Sequence, residues 1–548
     1  MNKYFDHFGI MLECSRNAVP NIEFLKQYVA DIGKMGYNFL QLYTEDTYEI
    51  DGEPYFGYLR GRFTKNELKE INDFGKEHGV EIVPCIQTLA HLNCALRWFA
   101  YDKIHDCRDI MLAGEEDTYV LIDKMFKSLR DSLDTEYINI GMDEAHFIGL
   151  GKYLDKHGYQ NRFDIITNHL NKVVEIANKY NFKPIMWSDM FFRLANNGVY
   201  RKNDPFDLPA DLFDKVPKEV ELCYWDYYND EPEQINNMLN EHKRFNNEIW
   251  FGGGCWSWEG FTPSNYVSFK RNDVAVKCCI ENGVRNFIMT VWGDDGHETS
   301  KLGNYPSLYY SACLAKGITD KDEIAKGFEE LFGISMLDCL KLDYPNEIDV
   351  INTYTEYANS TANNPSKYML FNDPLLGIFD YTVDEKAEEL YKSYAKELLP
   401  LCKNEKFGYV FKQTQTLCDV LSIKYAIGVK LRKAYKANDK KQLKALYKQL
   451  LKLPKKVEVF HKALKEQWYI ENKPFGFEIQ DARLGGLVMR IKTCAQTVKD
   501  YLDGKIDCIT ELDQEILKPV WYAEPGKTIC FNRYGDNISN GVLTHNPM

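Results

Sequence analysis

Two adjacent acids, Asp143 and Glu144, follow an apolar and β-rich stretch in residues 137–144, YINIGMDE. Carboxyl groups that share a pocket can transfer protons or stabilise a positive charge that develops during a reaction. On a regular strand, however, two successive side chains face opposite ways. Both acids can therefore serve one pocket only if the strand ends near Gly141 and the chain then turns.

The segments around this pair form a repeated strand–helix pattern. Amphipathic segments with helical spacing lie between most of eight short apolar runs, which are typical of parallel strands buried on both faces. Eight strands in βα alternation over about 315 residues predict an α/β fold of the TIM (β/α)8 barrel type rather than an open sheet. The predicted strands are residues 7–14, 39–44, 81–87, 137–142, 183–190, 220–227, 248–256 and 286–293.

After about residue 320 the sequence changes to long segments rich in Lys, Glu and Leu, whose helical spacing predicts an α-helical C-terminal domain. We therefore divide the chain into a catalytic barrel domain, residues 1–318, and a mainly α-helical domain, residues 319–548. Residues 472–491 differ from their surroundings because Asp481 and Arg483 stand in an apolar, glycine-containing run. This segment is either a homodimer contact or an internal join with a salt bridge.

The active sites of TIM barrels lie at the C-terminal ends of the strands, so the residues after each predicted strand are the candidates. Four of these strand ends carry tryptophan and most carry acids. Aromatic rings can stack on the C–H faces of sugars and carboxylates accept hydrogen bonds from hydroxyls, so this set favours a small carbohydrate or glycoside as the partner. The candidates are Arg16, Asp46, His91, Asp143, Glu144, Trp187, Trp225, Tyr227, Trp256, Glu259, Trp292 and Asp294.

Composition and charge exclude several kinds of partner. A formal net charge of -14 repels phosphate backbones and argues against nucleic acid. No stretch approaches about 18 uninterrupted apolar residues, so we expect no membrane span. No His-Glu-x-x-His spacing and no Gly-x-Gly-x-x-Gly turn after a strand is present, so we expect neither a metal nor another cofactor. Fifteen cysteines without Cys-x-x-Cys pairs, and an N-terminus without a signal-peptide pattern, predict reduced thiols and a cytoplasmic location.

The order of these motifs resembles glycoside hydrolase family 20, the β-N-acetylhexosaminidases, over roughly residues 8–300. LYTED (42–46) resembles the family's HLTDD, EIVPCIQTLAHL (81–92) its EVIPEIDMPGH, NIGMDE (139–144) its HxGGDE signature and VWGDD (291–295) its Trp-x-Glu. The resemblance implies that Asp143 and Glu144 are the catalytic pair. It also implies that Arg16 binds sugar hydroxyls and that His91 stands at the family histidine.

Family 20 is a substrate-assisted exception among glycosidases, and the resemblance implies that mechanism for this chain. The sugar's own 2-acetamido oxygen would attack the anomeric carbon and form an oxazolinium ion. Glu144 would protonate the glycosidic oxygen and later activate water, while Asp143 would orient the acetamido N–H and stabilise the positive charge. Aromatic residues would wall the N-acetyl pocket, with one tyrosine on the acetamido oxygen; the candidates are Trp187, Trp225, Trp256, Trp292, Tyr224, Tyr227 and Tyr228.

The sequence departs from the family signature at two positions, because Asn139 and Met142 stand where the signature has histidine and its second glycine. A second interpretation is a barrel glycosidase for sugars without the acetamido group, with Glu144 paired with Glu259 or Asp294. A third is a carbohydrate-binding barrel without turnover, which the two departures favour. The helical C-terminal domain resembles that of a divergent intracellular bacterial branch of the family.

Overall fold

The computed structural model describes residues 3–201, 204–348, 362–531 and 533–541. The chain forms two compact units that alternate along the sequence. The barrel unit comprises Met1–Cys255, Ser268–Trp292 and Ser307–Gly327, and the helical unit comprises Trp256–Val267, Gly293–Pro306 and Phe328–Met548. A single domain boundary between residues 318 and 319 stays a prediction.

Eight parallel strands close into a barrel, which confirms the predicted TIM fold. The strands are β1 His7–Glu13, β2 Phe39–Tyr43, β3 Glu81–Cys85, β4 Tyr137–Asn139, β5 Lys183–Trp187, β6 Glu221–Trp225, β7 Ile249–Gly254 and β8 Asn286–Val291. Their hydrogen-bonded order is β1-β8-β7-β6-β5-β4-β3-β2. Each begins within one residue of its predicted start and ends one to three residues before its predicted end, because the last apolar residues of each run belong to the loops.

Aromatic side chains fill the N-terminal end of the barrel. The rings of His7, Phe39, Tyr137 and Trp250 contact one another with centroids 5.1 to 5.8 Å apart. These residues stand at or near the starts of β1, β2, β4 and β7. The opposite end, where polar residues follow the strands, is therefore the end that can hold a site.

Side-chain caps begin the helices Ile22–Met35 and Lys65–Glu77. The Asn21 side chain accepts from the backbone N–H of Phe24, and Thr64 forms a reciprocal capping box with Glu67. A two-stranded hairpin, His105–Cys107 with Ile110–Met111, lies between β3 and β4. The α-helices up to Phe332 are Ile22–Met35, Lys65–Glu77, Asn93–Leu96, Glu116–Arg130, Lys152–His157, Arg162–Lys179, Asp189–Ala195, Leu212–Lys215, Pro232–Lys243, Asn265–Glu281, Tyr305–Ala315 and Lys321–Phe332.

The rest of the described chain is mainly helical, which confirms the predicted C-terminal helical region. Its two longest helices, Leu453–Glu471 and Phe477–Leu502, pack against each other. Proline at the first turn fits the N-terminus of Leu453–Glu471, where an N–H has no intrahelical acceptor. The remaining α-helices are Met336–Leu340, Pro365–Phe371, Ala387–Leu398, Gly408–Lys424, Ile427–Lys436, Lys440–Leu450, Thr510–Asp513 and Tyr534–Ile538.

The charged residues of the 472–491 segment have partners within the helical unit. Asp481 Oδ1 lies 2.6 Å from His461 Nε2. The Arg483 guanidinium lies 3.1 Å from Asp295 Oδ1 and 2.9 Å from Glu298 Oε1. These pairs favour the internal interpretation of the segment, and a homodimer contact stays a prediction.

The fifteen cysteines all lie in described residues, and all are free thiols. Among the helices of the described ranges, none is both long enough and apolar enough to cross a membrane. Nor does any group of three or more His, Cys, Asp or Glu side chains in that part of the chain have the arrangement of a metal site.

Candidate active site

The backbone after β4 turns sharply at the two acids. β4 ends at Asn139, and Gly141, Met142 and Glu144 all adopt left-handed conformations, with φ of 73°, 73° and 49°. This turn removes the strand alternation that would point successive side chains in opposite directions. The left-handed conformation costs a residue with a Cβ, such as Met142, about 1–2 kcal/mol. The family signature has glycine at this position.

Gly141 allows the close approach of a buried glutamine. A Cβ at this position would lie 2.1 Å from Oε1 of Gln87 and 2.7 Å from the carbonyl oxygen of Ile86. With only hydrogen on its Cα, Gly141 lets the Gln87 oxygen accept from the backbone N–H of Met142 at 3.1 Å. The side chain of Gln87 thereby holds the turn from the end of the neighbouring strand.

Gln87 also binds Asp143, which is 8 % exposed. Its Nε2 donates to Oδ1 of Asp143 at 2.7 Å and to the hydroxyl of Tyr43 at 2.9 Å. His91 Nε2 lies 3.2 Å from the other Asp143 oxygen, Oδ2. Burial favours the neutral acid, but the nearby His91 charge and the bonds from His91 and Gln87 outweigh it and lower the pKa of Asp143. Asp143 is therefore ionised in the site.

The same ion pair changes the titration of His91. Burial alone would lower the pKa of this imidazole, but the Asp143 carboxylate raises it to about 10. The backbone N–H of His91 donates to Asp109 Oδ2 at 3.0 Å, and the residue has a left-handed φ of 57°. His91 is thus a fixed cation beside Asp143 near neutral pH.

Glu144 is more exposed than its neighbour and has different partners. Its side chain is 39 % exposed, and Oε1 lies 3.0 Å from Nη2 of Arg193, while Oε2 lies 3.8 Å from His91 Nε2. The backbone N–H of Glu144 donates to Oδ2 of Asp189 at 3.2 Å. Because both Asp143 and Glu144 reach the same nitrogen of His91, the two carboxyl groups open on the same side.

Aromatic rings form a continuous wall that begins at Tyr43, the second hydrogen-bond partner of the Gln87 amide. Tyr43, which accepts from Gln87, meets Trp292 edge to face with centroids 4.8 Å apart. Trp292 contacts Trp187 at 6.1 Å and Tyr227 at 6.3 Å. The ring of Tyr227 in turn stacks on Trp225 at 5.1 Å. These five rings form what we call the aromatic wall.

Of the three candidate tyrosines at the end of β6, Tyr227 contributes its ring to the aromatic wall, and the ring of Tyr228 contacts that of Tyr227 with centroids 5.8 Å apart. Tyr224 is fully buried, and its hydroxyl donates to Asp226 Oδ2 at 2.9 Å. Asp226 also binds Arg201 and accepts from the backbone N–H of Tyr228. Tyr224 and Asp226 thus have structural partners that hold the loop on which Tyr227 stands.

Two other candidates lie after β1 and β2 and differ in their surroundings. Arg16 is held by two acids, with Nε 3.1 Å from Glu13 and Nη1 3.5 Å from Glu45. About a third of the Arg16 side chain stays exposed. Asp46 is fully buried, and its Oδ1 accepts from Nε of Arg60 at 2.8 Å. Arg16 can thus reach solvent, whereas Asp46 pairs with an arginine of its own loop.

The last three candidates, Trp256, Glu259 and Asp294, belong to the helical unit. Trp256 is buried and stacks on Trp258 with centroids 4.1 Å apart. The carbonyl oxygen of Asp294 accepts from the backbone N–H of Glu259 at 3.0 Å. Roles for Trp256, Asp294 and Glu259 in substrate binding or catalysis stay predictions.

Sequence reasoning did not find Gln87 and Arg193. Gln87 lies two residues after the end of β3, and Arg193 lies one helical turn after Asp189, which follows β5. Both stand at the C-terminal ends of strands, which was the only available signal. A glutamine in an apolar run and an arginine in an amphipathic helix are otherwise ordinary.

Two family models match the chain. The "Glycosyl hydrolase family 20, catalytic domain" matches residues 5–244, and the "Glycoside Hydrolase 20C C-terminal domain" matches residues 340–530. Hexosaminidase D from Homo sapiens is 23% identical over 351 residues, which are 59% of this chain and 68% of that protein. Hexosaminidase D from Bos taurus is 22% identical over 223 residues, or 39% of this chain and 60% of that protein.

Solved structures include a GH20 exo β-N-acetylglucosaminidase from Vibrio harveyi in complex with N-acetylglucosamine. It is 14% identical, with a TM-score of 0.45, and the match covers 61% of this chain and 59% of that one. A β-N-acetylhexosaminidase from Streptomyces coelicolor A3(2) is 17% identical, with a TM-score of 0.45 and coverage of 61% and 70%. The chain thus spans about 59% to 70% of the lengths of these relatives.

Proposed function

The chain belongs to glycosyl hydrolase family 20, and from that premise we propose that it is an exo-acting β-N-acetylhexosaminidase. Its substrates are terminal β-linked GlcNAc or GalNAc residues, which it hydrolyses with retention by substrate-assisted catalysis. The observation that carries the proposal is the position of His91, whose Nε2 lies 3.2 Å from Asp143 and 3.8 Å from Glu144. Two carboxyl groups on one side of one imidazole are unsuited to flanking a glycosidic bond from opposite faces.

In the first step the acetamido oxygen of the substrate attacks the anomeric carbon. The C–O bond to the leaving group breaks, Glu144 gives its proton to that oxygen, and an oxazolinium ion forms. In the second step Glu144 takes a proton from water, the water oxygen bonds to the anomeric carbon and the oxazolinium ring opens. Two inversions at the anomeric carbon give overall retention, and Glu144 ends protonated as it began.

Asp143 suits the role of orienting the acetamido group. It is buried, and His91 and Gln87 keep its pKa low, so it presents a negative charge that can accept from the acetamido N–H. A carboxylate has about four lone-pair sites, so Asp143 can still accept from the substrate after binding Gln87 and His91. The same charge stabilises the positive oxazolinium in a site with little water.

Glu144 suits the role of the acid and base because it is the more exposed of the two acids. Exposure lets it reach a leaving group that departs to solvent and a water molecule that arrives from solvent. The aromatic wall, in which Trp187, Tyr227 and Trp292 meet, supplies an apolar surface for the acetamido methyl group. Arg16, held between two acids and partly exposed, supplies donors for the sugar hydroxyls.

We also assign the chain to a divergent intracellular bacterial branch of the family, with a cytoplasmic location. The match of residues 340–530 to the 20C C-terminal domain and identities of 23% or less to Hexosaminidase D support a divergent branch. Fifteen free thiols are typical of proteins from a reducing compartment.

A panel of aryl β-glycosides, with and without the 2-acetamido group, tests the proposal. We expect turnover only of the acetamido sugars, and a loss of about 10²–10⁴-fold in kcat for Asp143→Asn and Glu144→Gln with unchanged folding. Equal turnover of sugars without the acetamido group supports the two-carboxylate glycosidase instead. Binding of the acetamido sugars without turnover supports the non-catalytic barrel. An undiminished rate in either amide variant would falsify the residue assignment.

A further inference from the structure

The carboxyl group of Glu144 has to be held in one conformation, although the side chain is exposed. The backbone of Glu144 does not fix the side chain by itself. Its side chain is 39 % exposed and its φ of 49° places it in the left-handed region. A glutamate side chain with free rotamers loses conformational entropy when it is fixed in one of them. Some other group must therefore hold the carboxyl group if it is to meet a leaving oxygen at hydrogen-bond distance.

One buried carboxylate connects to both ends of Glu144. Oδ2 of Asp189 accepts from the backbone N–H of Glu144 at 3.2 Å and from Nε of Arg193 at 2.6 Å. Nη2 of Arg193 in turn donates to Oε1 of Glu144 at 3.0 Å. Asp189 thus ties the backbone of Glu144, and through Arg193 it also ties the side chain. We call this pair the Asp189–Arg193 clamp.

The clamp is rigid because every nitrogen of the guanidinium has a partner. Besides the bonds from Nε and Nη2, Nη1 of Arg193 donates to the carbonyl oxygen of Gly198 at 3.0 Å. Its Cζ lies 5.5 Å from the ring centroid of Tyr200 and 5.6 Å from that of Trp225. Asp189 begins the helix that follows β5, and Arg193 stands one turn later on it. The planar fork of arginine suits two fixed acceptors, which the single ammonium of lysine cannot match.

We propose that Asp189 and Arg193 are positioning residues that hold Glu144 in the conformation in which it exchanges its proton with the glycosidic oxygen. This inference rests on the proposed function. Neither residue has to touch the substrate, because both act through Glu144. The oxygen of Glu144 that faces away from Arg193, Oε2, is the one left to carry the proton.

The clamp also balances charge around the acid. Burial, together with the nearby charges of Asp143 and Glu144, raises the pKa of Asp189 to about 7. The Arg193 guanidinium acts in the opposite direction and lowers this pKa. The charges of this pair also act on two neighbouring titratable groups, that of Arg193 on His146 and that of Asp189 on Tyr200. The guanidinium of Arg193 thus lies between two acids, 2.6 Å from Asp189 and 3.0 Å from Glu144.

Leaving-group dependence in the full-length chain tests the inference. A dinitrophenyl leaving group departs without a proton, whereas an alkylphenyl group needs one from Glu144. For Arg193→Met we expect a fall in kcat of about 30-fold or more with the alkylphenyl β-GlcNAc glycoside, at most about threefold with the dinitrophenyl glycoside, and a KM within about threefold of wild type. Arg193→Lys keeps the charge and regains part of the loss.

A second background sharpens the test. In the Glu144→Gln background, Arg193→Met should lower kcat at most about a further threefold, because the effects of residues that act as a unit are not additive. Where thermal melting shows that Arg193→Met is unfolded, Arg193→Lys and Asp189→Asn decide the question by the same measurements.

Arg201 provides a matched control. It also lies 5.6 Å from the ring of Trp225, but it pairs with Asp226 and has no contact with Glu144 among the described residues. Arg201→Met should affect both leaving groups equally. Equal losses for both leaving groups in Arg193→Met, or full additivity with Glu144→Gln, overturn the clamp. A wild-type protein that leaves acetamido glycosides intact overturns the proposed function, and the clamp with it.

Discussion

Replacing Gln87 by methionine removes a side-chain amide that joins the turn at the two acids to the rest of the site. The bond from Gln87 Nε2 to Asp143 Oδ1 is 2.7 Å long and buried. A hydrogen bond to a charged group contributes about 1.5–3 kcal/mol, and each 1.36 kcal/mol is tenfold in rate. Because the Asp143 charge matters most as the oxazolinium forms, we expect kcat to fall about 10- to 150-fold with little change in KM.

The same substitution should destabilise the fold. Methionine leaves the N–H of Met142 without its acceptor, which costs about 1–3 kcal/mol when the group is buried. Gln87 also helps to hold the pKa of Asp143 below its ordinary value, so this contribution to stability is present above about pH 4 and is lost as pH falls through the folded pKa. The gap in stability between wild type and Gln87→Met should therefore narrow in acid.

The assay is steady-state hydrolysis of nitrophenyl β-GlcNAc, with urea denaturation at several pH values. Tyr43→Phe is the matched control, because it removes the other acceptor of the same amide, at 2.9 Å, and leaves the bond to Asp143 in place. We expect it to lower kcat less than about fivefold. Equal losses in Gln87→Met and Tyr43→Phe, or a Gln87→Met variant with wild-type kcat, refute the reasoning.

Three further predictions concern other parts of the chain. His91, with a pKa of about 10, should stay doubly protonated near pH 8 in ¹⁵N NMR spectra and become neutral there in Asp143→Asn, because burial then acts without the Asp143 charge that opposes it; a neutral His91 in wild type contradicts this. Gly141→Ala should lower kcat at least about tenfold, since the new methyl would lie 2.1 Å from Oε1 of Gln87, and wild-type kinetics would argue against that crowding. Replacing Lys367, which is fully buried and 2.7–2.8 Å from two carboxylates, by methionine should lower the free energy of unfolding by about 3 kcal/mol in urea denaturation. A decrease of less than about 1 kcal/mol would contradict a stabilising role for this ion cluster.

The strands of the barrel were predictable because continuous burial on both faces leaves an unbroken apolar run. Their ends were not, because Ile140 and Met142 are as apolar as strand residues, yet β4 ends at Asn139 and both Gly141 and Met142 have a left-handed φ of 73°. Nothing in the local pattern distinguishes a residue that continues the pleat from one that turns out of it. The turn itself, however, follows from the requirement that Asp143 and Glu144 share a pocket.

The partners of the acids were beyond sequence reasoning for a different reason. Arg60 stands 14 positions after Asp46 in a loop, and its pairing depends on a loop path that no periodicity predicts. Arg193 has the spacing of an ordinary exposed helix residue, and its role depends on where β5 ends relative to β4. Gln87 lies inside an apolar run, and its role becomes recognisable only from the close approach of its side chain to Gly141 in the fold.

In the proposed mechanism the substrate's own acetamido oxygen is the nucleophile, with Asp143 and Glu144 on one side of it. Measuring kcat/KM for nitrophenyl β-glycosides whose N-acyl methyl group carries none, one, two or three fluorine atoms tests this mechanism. Each fluorine withdraws electrons from the amide oxygen, so we expect a steep and continuous fall in rate along the series. A rate that is independent of the number of fluorine atoms would contradict it, because an enzyme carboxylate or a water molecule would then be the nucleophile.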